Sequence, residues 1–277
     1  MRNLIIEKQQ LSEQVYKIKI NAPLIAEERL PGQFIILQVS EDSERIPLTI
    51  ADADQSKGSI TLIFQTVGKT TTLLSKMNVG DKIAHLAGPL GKPTHIEKFG
   101  HVICVGGGIG IAPLYPIAQG MKNAGNKLTV IIGARNKDLI LLENELRQIA
   151  DELIICTDDG SYGKKALVTE PLKQLCEINP KPDLVVAIGP AVMMKFCAET
   201  TRPFKVPTLV SLNTIMIDGT GMCGGCRVTV GKETKFVCVD GPEFDGHLVD
   251  FDNMIKRLNS YKQFEKNALH QCKLKNL

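Results

Sequence analysis

Four side chains near the C-terminal end of the sequence have the types and the spacing of metal ligands: Asp218, Cys223, Cys226 and Cys238. Four residues separate Asp218 from Cys223 and two separate Cys223 from Cys226, whereas Cys238 follows at a distance. Thiolates and carboxylate oxygens both bind iron and zinc. The stretch between them is rich in glycine, which lets backbone amides approach metal-bound sulfur. The sequence therefore predicts one metal centre held by these four side chains.

The spacing of the three cysteines favours a [2Fe-2S] cluster. The plant-type pattern for this cluster is C-x4-C-x2-C with a distant fourth cysteine. Cys223, Cys226 and Cys238 match three of its positions, and Asp218 stands at the first. We interpret Asp218 as a carboxylate ligand that replaces one thiolate on one iron. The same ligand set would also bind zinc, so zinc is the alternative.

The other five cysteines stand alone in the sequence, and the first two of them lie in apolar runs: Cys104, Cys156, Cys176, Cys197 and Cys272. An isolated cysteine behaves as a small apolar side chain. We expect all five to be structural.

A glycine-rich turn follows the apolar run HVICV and includes Gly107, Gly108 and Gly110. Such a turn lets backbone amides approach a pyrophosphate, and the N-terminus of a following helix supplies positive potential. Ala112 and Pro113 predict that this helix starts directly after the turn, because proline suits a first helical turn. The strict dinucleotide fingerprint G-x-G-x-x-G is not complete, so a simple tight turn is the alternative.

The segment 98–212 around this turn alternates strand-like apolar runs with helical segments, which predicts a parallel sheet with helices on both faces. Ligands of such sheets bind at the carboxyl edge of the strands. Three later strand ends, in IIGARNKD, TDDGSYG and AIGP, bring polar residues and glycines to that edge. We therefore expect a dinucleotide site there.

The rest of the chain has different patterns. Short alternating runs such as VYKIKI and QFIILQV, separated by Gly, Pro and Asp, predict a small antiparallel β-barrel over residues 1–97. After residue 212 a segment rich in Gly, Cys and Asp leads into a polar tail that we expect to be helical. The predicted domains are thus a barrel over 1–97, an α/β domain over 98–212, and a cluster domain with a helical tail over 213–277.

The barrel, followed by GGGIGIAP, TDDGS and GP with MMK, resembles the ferredoxin-NADP reductase superfamily over roughly residues 1–212. This resemblance implies FAD on the barrel and a nicotinamide dinucleotide, NAD(H), on the second domain. The residues it assigns to the dinucleotide are Gly107, Gly108, Gly110, Ala112, Pro113, Arg135, Asp158 and Asp159.

The same resemblance assigns FAD to two segments of the barrel. RIPLTI resembles an Arg-x-aromatic-Ser motif, although Arg45 lies one residue further from the hydroxyl than in the motif and no aromatic is present. It places Arg45 near a phosphate, and Pro47, Leu48 and Thr49 beside the isoalloxazine. FQTVGKTTTLL resembles the segment at the FAD pyrophosphate, with Phe64, Gln65, Thr70 and Thr71 at the matching positions. GKTTT is not a P-loop, because no glycine stands at the required earlier position.

With the cysteine-rich domain included, the whole chain resembles two kinds of electron-transfer subunit. The subunit of the two-subunit dihydroorotate dehydrogenases carries cysteine at all four ligand positions. Asp218 and FVCVDGPEFDGHLVDF instead resemble the small subunit of the NADH-dependent reduced ferredoxin:NADP oxidoreductases, also described as sulfide dehydrogenases. That resemblance implies a larger flavin and iron-sulfur partner subunit, ferredoxin as a reactant of the complex, and electron bifurcation by the complex as a whole.

The resemblance implies an oxidoreductase subunit without a catalytic acid or base. Hydride passes between nicotinamide and FAD, and single electrons pass on through the cluster. Two alternatives are the dihydroorotate dehydrogenase subunit and a non-enzymatic regulator that uses its cluster as a redox sensor. The sequence leaves NAD against NADP open, since Arg135 and Lys137 would contact either a 2′-phosphate or water.

Composition argues against other partners. A net charge of +3 with 23% charged residues is too near neutral to favour nucleic acid or an anionic membrane surface. The N-terminus lacks the apolar core of a signal peptide, and no apolar run reaches the roughly 20 residues that span a bilayer. We therefore expect a cytoplasmic location, where metal binding explains the cysteine-rich stretch better than a disulfide does.

Overall fold

The computed structural model describes residues 2–274, and within them the chain forms three packed units in the expected order. Met1 and residues 275–277, which end the expected third domain, lie outside the described residues. No helix in the described part is long and apolar enough to cross a membrane.

The first unit is an antiparallel sheet. Within residues 2–274 it has six strands, in the order β1-β2-β5-β4-β3-β6. The amide of Ile5 donates to Asp81 O at 3.0 Å, and that of Ile83 donates to Asn3 O at 3.0 Å, so the segment before β6 closes the sheet against β1. The expected barrel is therefore present. Its elements are β1 (Ile5–Ser12), β2 (Val15–Asn21), α1 (Pro23–Glu28), β3 (Phe34–Gln38), β4 (Arg45–Asp54), β5 (Ser59–Gln65), α2 (Lys69–Lys76) and β6 (His85–Leu90).

The second unit is the expected parallel sheet. Its elements are β7 (His101–Gly107), α3 (Ile111–Asn123), β8 (Lys127–Ala134), α4 (Glu143–Ile149), β9 (Glu152–Thr157), β10 (Lys164–Lys165), α5 (Thr169–Glu177), β11 (Leu184–Ile188), α6 (Ala191–Thr201) and β12 (Thr208–Ser211). The strand order β10-β9-β8-β7-β11-β12 reverses direction between β7 and β11. Such a reversal is the topological switch point at which parallel sheets bind ligands.

Alternating side chains of the central strands feed two separate cores. On β7, Val102 and Cys104 face α3 and α4, whereas Ile103 and Val105 face α5 and α6. Strands buried on both faces read as continuous apolar runs, which explains the sequence HVICV. Cys104, Cys156, Cys176, Cys197 and Cys272 are all buried, as expected for structural cysteines.

The third unit combines β13 (Arg227–Val230), β14 (Glu233–Phe236), α7 (Val237–Asp240), β15 (Glu243–Asp245), α8 (Phe251–Asn259) and α9 (Lys262–Leu274). The strand β15 pairs antiparallel with β12 and so extends the sheet of the second unit. A strand from beyond residue 212 thus belongs to the preceding sheet, and the boundary at 212 stays a prediction.

One apolar core joins the three units. It combines Phe34 and Ile36 of the barrel strand β3 with Val105 and Ile131 of the central sheet and with many side chains of the third unit. Those of the third unit are Cys226, Val228, Val237, Cys238, Phe244, Phe251 and Met254. Burial of about 1.5–3 kcal/mol per large apolar side chain makes such a core sufficient to fix the units against one another.

Candidate cofactor sites

The cluster loop, residues 213–226 between β12 and β13, carries three of the predicted ligands. It packs directly against the barrel: a Cβ on Gly219 would lie 2.7 Å from Ile36 Cγ1 and 2.7 Å from Leu90 Cδ1, so the contact requires glycine. Arg227 and Arg257 donate to the carbonyls of Gly224 and Gly225, each at 3.1 Å. Two positive charges therefore border a loop that would hold an anionic cluster.

Two of the predicted ligands, Cys226 and Cys238, lie side by side as a first pair. Their Sγ atoms lie 3.2 Å apart and both residues are buried. Burial, with the neighbouring Cys226 as a second cause, raises the pKa of the Cys238 thiol to about 12. The amide of Cys238 also points at Cys226 Sγ, with a distance of 3.5 Å. Metal binding would remove the proton of the Cys238 thiol, because a metal ligand is a thiolate.

Asp218 and Cys223 form the second pair, on the solvent side. The Asp218 carboxylate accepts the amides of Thr220 at 2.8 Å and Cys223 at 2.7 Å. The Thr220 amide is the main cause that lowers the pKa of Asp218, and the Cys223 thiol acts in the same direction. Asp218 therefore stays ionised and close to Cys223. A carboxylate that only caps the loop would accept the same hydrogen bonds, so capping is the alternative role of Asp218.

Two pairs suit a binuclear cluster, in which each iron takes two protein ligands. A zinc ion would need all four groups within bonding distance of one point. Among residues 2–274, no three His, Cys, Asp or Glu side chains are grouped in a way that could hold a single metal ion. The residues fit a [2Fe-2S] cluster, which two ligand pairs would hold, and zinc stays the alternative.

The predicted flavin motif lies on β4, next to the cluster loop. Pro47 pairs with Ile36 and Thr49 pairs with Phe34, and directly paired residues project to the same face of a sheet. Because Ile36 contacts Gly219, the cluster loop and the flavin motif share one face of the barrel. Leu48, between Pro47 and Thr49, is only partly buried and packs against the barrel core. Arg45, at the start of the strand, is exposed and pairs with Gln38.

The predicted pyrophosphate segment surrounds the N-terminus of α2. Thr71 Oγ1 accepts the amides of Val67 and Gly68 at 3.1 Å each, so this hydroxyl caps the helix. Thr70 differs, because its buried Oγ1 has no hydrogen-bond partner within the described part of the chain. An unmatched hydroxyl beside the free amides of a first helical turn fits a diphosphate.

Phe64 and Gln65 end β5 in front of this segment. The Phe64 side chain is 1% exposed and stacks on Tyr16 inside the barrel, with ring centroids 5.9 Å apart. The buried side chain offers no surface to a ligand outside the barrel. Gln65 is half-buried at the strand end. The assigned FAD contacts remain predictions, and for Phe64 the prediction is limited to backbone atoms.

The glycine turn follows β7 at the switch point. Gly110 packs against the end of β11: a Cβ there would lie 2.5 Å from Ile188 O and 2.7 Å from Gly189 Cα. A Cβ on Gly107 would meet Met193 Sδ, which lies on α6 in the MMK segment named in the sequence analysis. Only Gly108, with φ +54° and open space around it, faces outward from the turn. The helix α3 begins at Ile111, and Ala112 is buried while Pro113 stays half-exposed.

Arg135, Asp158 and Asp159 lie on neighbouring strand ends at the same edge. The amides of Asp158 and Asp159 donate to Ala134 O and Arg135 O at 3.1 and 3.2 Å, so the ends of β8 and β9 run side by side. All three side chains are exposed. The side chain and amide of Ser161 lower the pKa of Asp159, which keeps it ionised. The sheet thus brings the predicted dinucleotide residues to one edge.

The flavin and dinucleotide sites adjoin. The helix α3, which starts from the glycine turn, packs against β4. Ala51 of β4 shares a core with Ile111, Ala112 and Leu114 of that helix. The strand β4 therefore contacts the dinucleotide domain through Ala51. Through Pro47 it pairs with Ile36, the residue that contacts the cluster loop.

Family models match all three units. They are the oxidoreductase FAD-binding domain over residues 3–95, the oxidoreductase NAD-binding domain over residues 104–199, and the iron-sulfur cluster binding domain of dihydroorotate dehydrogenase B over residues 213–250. The expected fold class and the expected FAD, NAD(H) and iron-sulfur domains are confirmed.

Several relatives match over nearly the full chain. A Thermotoga maritima homolog of the dihydroorotate dehydrogenase B (NAD(+)) electron transfer subunit is 48% identical over 264 residues, or 95% of this chain and 93% of the relative. The electron transfer subunit of dihydroorotate dehydrogenase B from Desulforamulus reducens is 35% identical, covering 83% of this chain and 90% of its own. A solved structure of the NADH-dependent reduced ferredoxin-NADP oxidoreductase superposes with a TM-score of 0.92 and 46% identity over 98% of both chains.

The three units define an oxidoreductase of the ferredoxin-NADP reductase type with an added iron-sulfur domain. The chain belongs to the family of the dihydroorotate dehydrogenase B electron transfer subunits and their homologues.

The contact of Gly110 with the end of β11 yields a test of the dinucleotide site. Gly110→Ala places a methyl group against backbone atoms, so the turn must move. Overpacking of this kind costs about 1–3 kcal/mol, or about five- to 150-fold in the Kd for NADH. Anaerobic stopped-flow reduction of the flavin by NADH measures this Kd. The exposed Val192→Ala at the same sheet edge serves as the control, and FAD content should stay constant. An unchanged Kd in Gly110→Ala would remove the turn from the site.

Proposed function

We propose that this chain is the electron-transfer subunit of an NADH-dependent ferredoxin:NADP oxidoreductase and works with a larger flavin and iron-sulfur subunit. Electrons from NADH enter at the switch point of the sheet and leave through the cluster loop. The observation that carries the proposal is the contact of Gly219 with Ile36, the strand partner of Pro47. It supports a path in which the flavin and cluster sites are neighbours on one face.

The proposed roles of the residues follow from their positions. The turn around Gly108 and the start of α3 bind the dinucleotide, with Arg135, Asp158 and Asp159 along the same edge. FAD, when bound, exchanges electron pairs with a nicotinamide and single electrons with a cluster. Thr70 and the first amides of α2 hold its diphosphate, while β4 supports the ring system. No side chain is assigned as a catalytic acid or base, because the cofactors themselves carry the hydride and the electrons.

The cluster loop also offers a surface for the larger subunit. Ile217, Met222 and Val239, which we name the cluster-side patch, are exposed next to the predicted ligands, and Met222 is 88% exposed. Met222 and Val239 are neighbours in this patch, since a Cβ on Gly221, next to Met222, would lie 3.2 Å from Val239 Cγ2. Exposed apolar groups that border a redox centre suit the docking of a partner protein, which must receive electrons from that centre at close range. We place the electron outlet of this chain at the patch.

A second candidate function is that of the electron transfer subunit of a dihydroorotate dehydrogenase. The observation in its favour is the name carried by the relatives in Thermotoga maritima and Desulforamulus reducens. Asp218 argues against it, because the dihydroorotate dehydrogenase subunits carry cysteine at this position. The regulator alternative has less support, since the chain carries complete FAD-binding and NAD-binding domains.

The cofactor content tests the proposal directly. Protein purified without oxygen should contain about one FAD and two irons per chain, because one barrel and one ligand set are present. NADH should bleach its flavin absorbance, while dihydroorotate should not. Flavin, iron and zinc analysis together with visible spectra measures this. Zinc without absorbance beyond the flavin bands would contradict the cluster, and full-rate oxidation of dihydroorotate by the chain alone would contradict the subunit role.

Variants of Asp218 separate a ligand from a capping residue. Asp218→Cys should keep the iron and shift the cluster potential to lower values, because a thiolate donates more charge to iron than a carboxylate. Asp218→Ala should lose most of the iron and retain FAD. Asp240, whose carboxylate accepts the Phe236 amide at 2.7 Å, is a matched capping residue outside the ligand pattern. If Asp240→Ala lost as much iron as Asp218→Ala, or if Asp218→Cys kept the wild-type potential and electron paramagnetic resonance (EPR) spectrum, Asp218 would be a cap only.

The cluster-side patch predicts a variant with impaired binding of the larger subunit. Met222→Lys should weaken binding of the larger subunit by about thirtyfold or more, as expected when a central apolar contact worth 2 kcal/mol is lost. FAD and iron should remain. Co-expression with the larger subunit of each candidate complex from the same genome, followed by size-exclusion chromatography, measures assembly and also identifies the partner. Leu24→Lys, on the barrel helix α1, is the control. Full assembly of Met222→Lys would show that the partner binds elsewhere.

A further inference from the structure

Glu243, the first residue of β15, places its carboxyl where the three units meet. Its Oε1 accepts a hydrogen bond from Thr94 Oγ1 at 2.6 Å, and Thr94 lies in the segment between β6 and β7. Gly32 forms the third side, since a Cβ there would lie 3.3 Å from Oε1 and 2.3 Å from Thr94 Oγ1. Only glycine at this position leaves room for the pair. The carboxyl is thus enclosed by the barrel, the linking segment and the third unit.

This position adjoins both proposed redox sites, since Phe244, the next residue, shares one core with Phe34 and Cys238. Gly32 is two residues, or about 7 Å, along the chain from Phe34, which pairs with Thr49 of the flavin motif. On the other side, α7 and the following turn connect Glu243 to Cys238, five residues earlier. An electron added at either centre would therefore interact with the carboxyl through a poorly polarisable interior.

Among the described side chains that affect the pKa of Glu243, none is a cation. Burial raises the pKa of Glu243 to about 7, and the Thr94 hydroxyl lowers it only in part. Its cross-strand partner on β12 is Ser211, and the Cys104 thiol of β7 is the titratable group whose own pKa Glu243 raises. The side chain nevertheless keeps some exposed surface, so it exchanges protons with water.

We propose that Glu243 is a redox-linked proton acceptor, whose carboxylate binds one proton from water when an electron arrives at the cluster or the flavin beside it. The proposal rests on the proposed function, since it requires both redox centres. One electron and one proton enter together, which keeps the net charge of the junction constant. Oxidation of NADH to NAD⁺ supplies two electrons and releases one proton, so the balance needs no further reactant. Glu243 lowers the electrostatic cost of storing electrons between two sites that already lie close together.

The pH dependence of the cluster potential tests this role. The cluster itself takes up one electron and no proton, so any pH dependence must come from a neighbouring group. Below about pH 7 Glu243 is protonated in both redox states and the potential is constant. Above it, reduction draws in a proton, so the potential of the wild type should fall as the pH rises, until the carboxyl is ionised in both states. Redox titrations between pH 6 and 9, followed by EPR, measure the potential.

Three variants make the test specific. Glu243→Gln keeps the shape and the bond from Thr94 and should give a potential independent of pH. Thr94→Val removes the hydrogen bond that lowers the pKa of Glu243, so its pH-dependent range should move upward. Glu233→Gln, an equal charge change at an exposed site of the same unit, should behave as the wild type.

The outcomes distinguish the two proposals. An intact EPR signal and flavin spectrum with the wild-type pH dependence in Glu243→Gln would overturn the role of Glu243 and leave the proposed function standing. Absence of cluster or flavin from the wild type would overturn both. If Glu243→Gln failed to retain its cluster, an unmoved pH range in Thr94→Val would still overturn the role of Glu243, because that variant keeps the carboxyl.

Discussion

The apolar core shared by the three units is the constraint on which the proposed electron path depends. It exists because β3 is buried on both faces: Ile35 and Leu37 fill the barrel, while Phe34 and Ile36 fill the joint core. A strand with only one buried face would leave the cluster domain free to move relative to the barrel. The contact of Ile36 with Gly219 then holds the cluster loop against the residue that pairs with Pro47. Electron transfer falls steeply with distance, so rigid packing here serves function as well as stability.

Close backbone approach is a second device that recurs at the sites. Gly110 allows the dinucleotide turn to contact the end of β11, Gly219 allows the cluster loop to contact the barrel, and Gly32 leaves space for the bond between Thr94 and Glu243. At each place a single methyl group would overlap atoms of another segment. These glycines bring together elements that are distant in the sequence. Packing spread over many side chains would fix the positions of such elements less closely.

Two carboxylates of the third unit illustrate how position sets charge. Asp218 lies at the surface and accepts two backbone amides, which lowers its pKa and keeps the carboxylate ionised. Glu243 lies at a buried junction with one hydroxyl donor, and burial raises its pKa to about 7. The same functional group thus provides a fixed charge at one point and an adjustable charge at another. This difference follows from solvation and the number of donors.

The sequence alone determined the class of the fold and the order of its units, and it predicts the ligand set of the cluster. These features are local: the two-residue period of β2 and β3, the apolar run of β7 before its glycines, and the spacing from Asp218 to Cys226 each depend on neighbouring residues. Tertiary structure decided the relations between segments. Only packing showed that Phe64 turns into the barrel, that β15 joins the sheet of the second unit, and that Glu243 meets Thr94 across 149 positions. No local pattern encodes such contacts, because they arise from shape and burial among side chains that the chain brings together only when it folds.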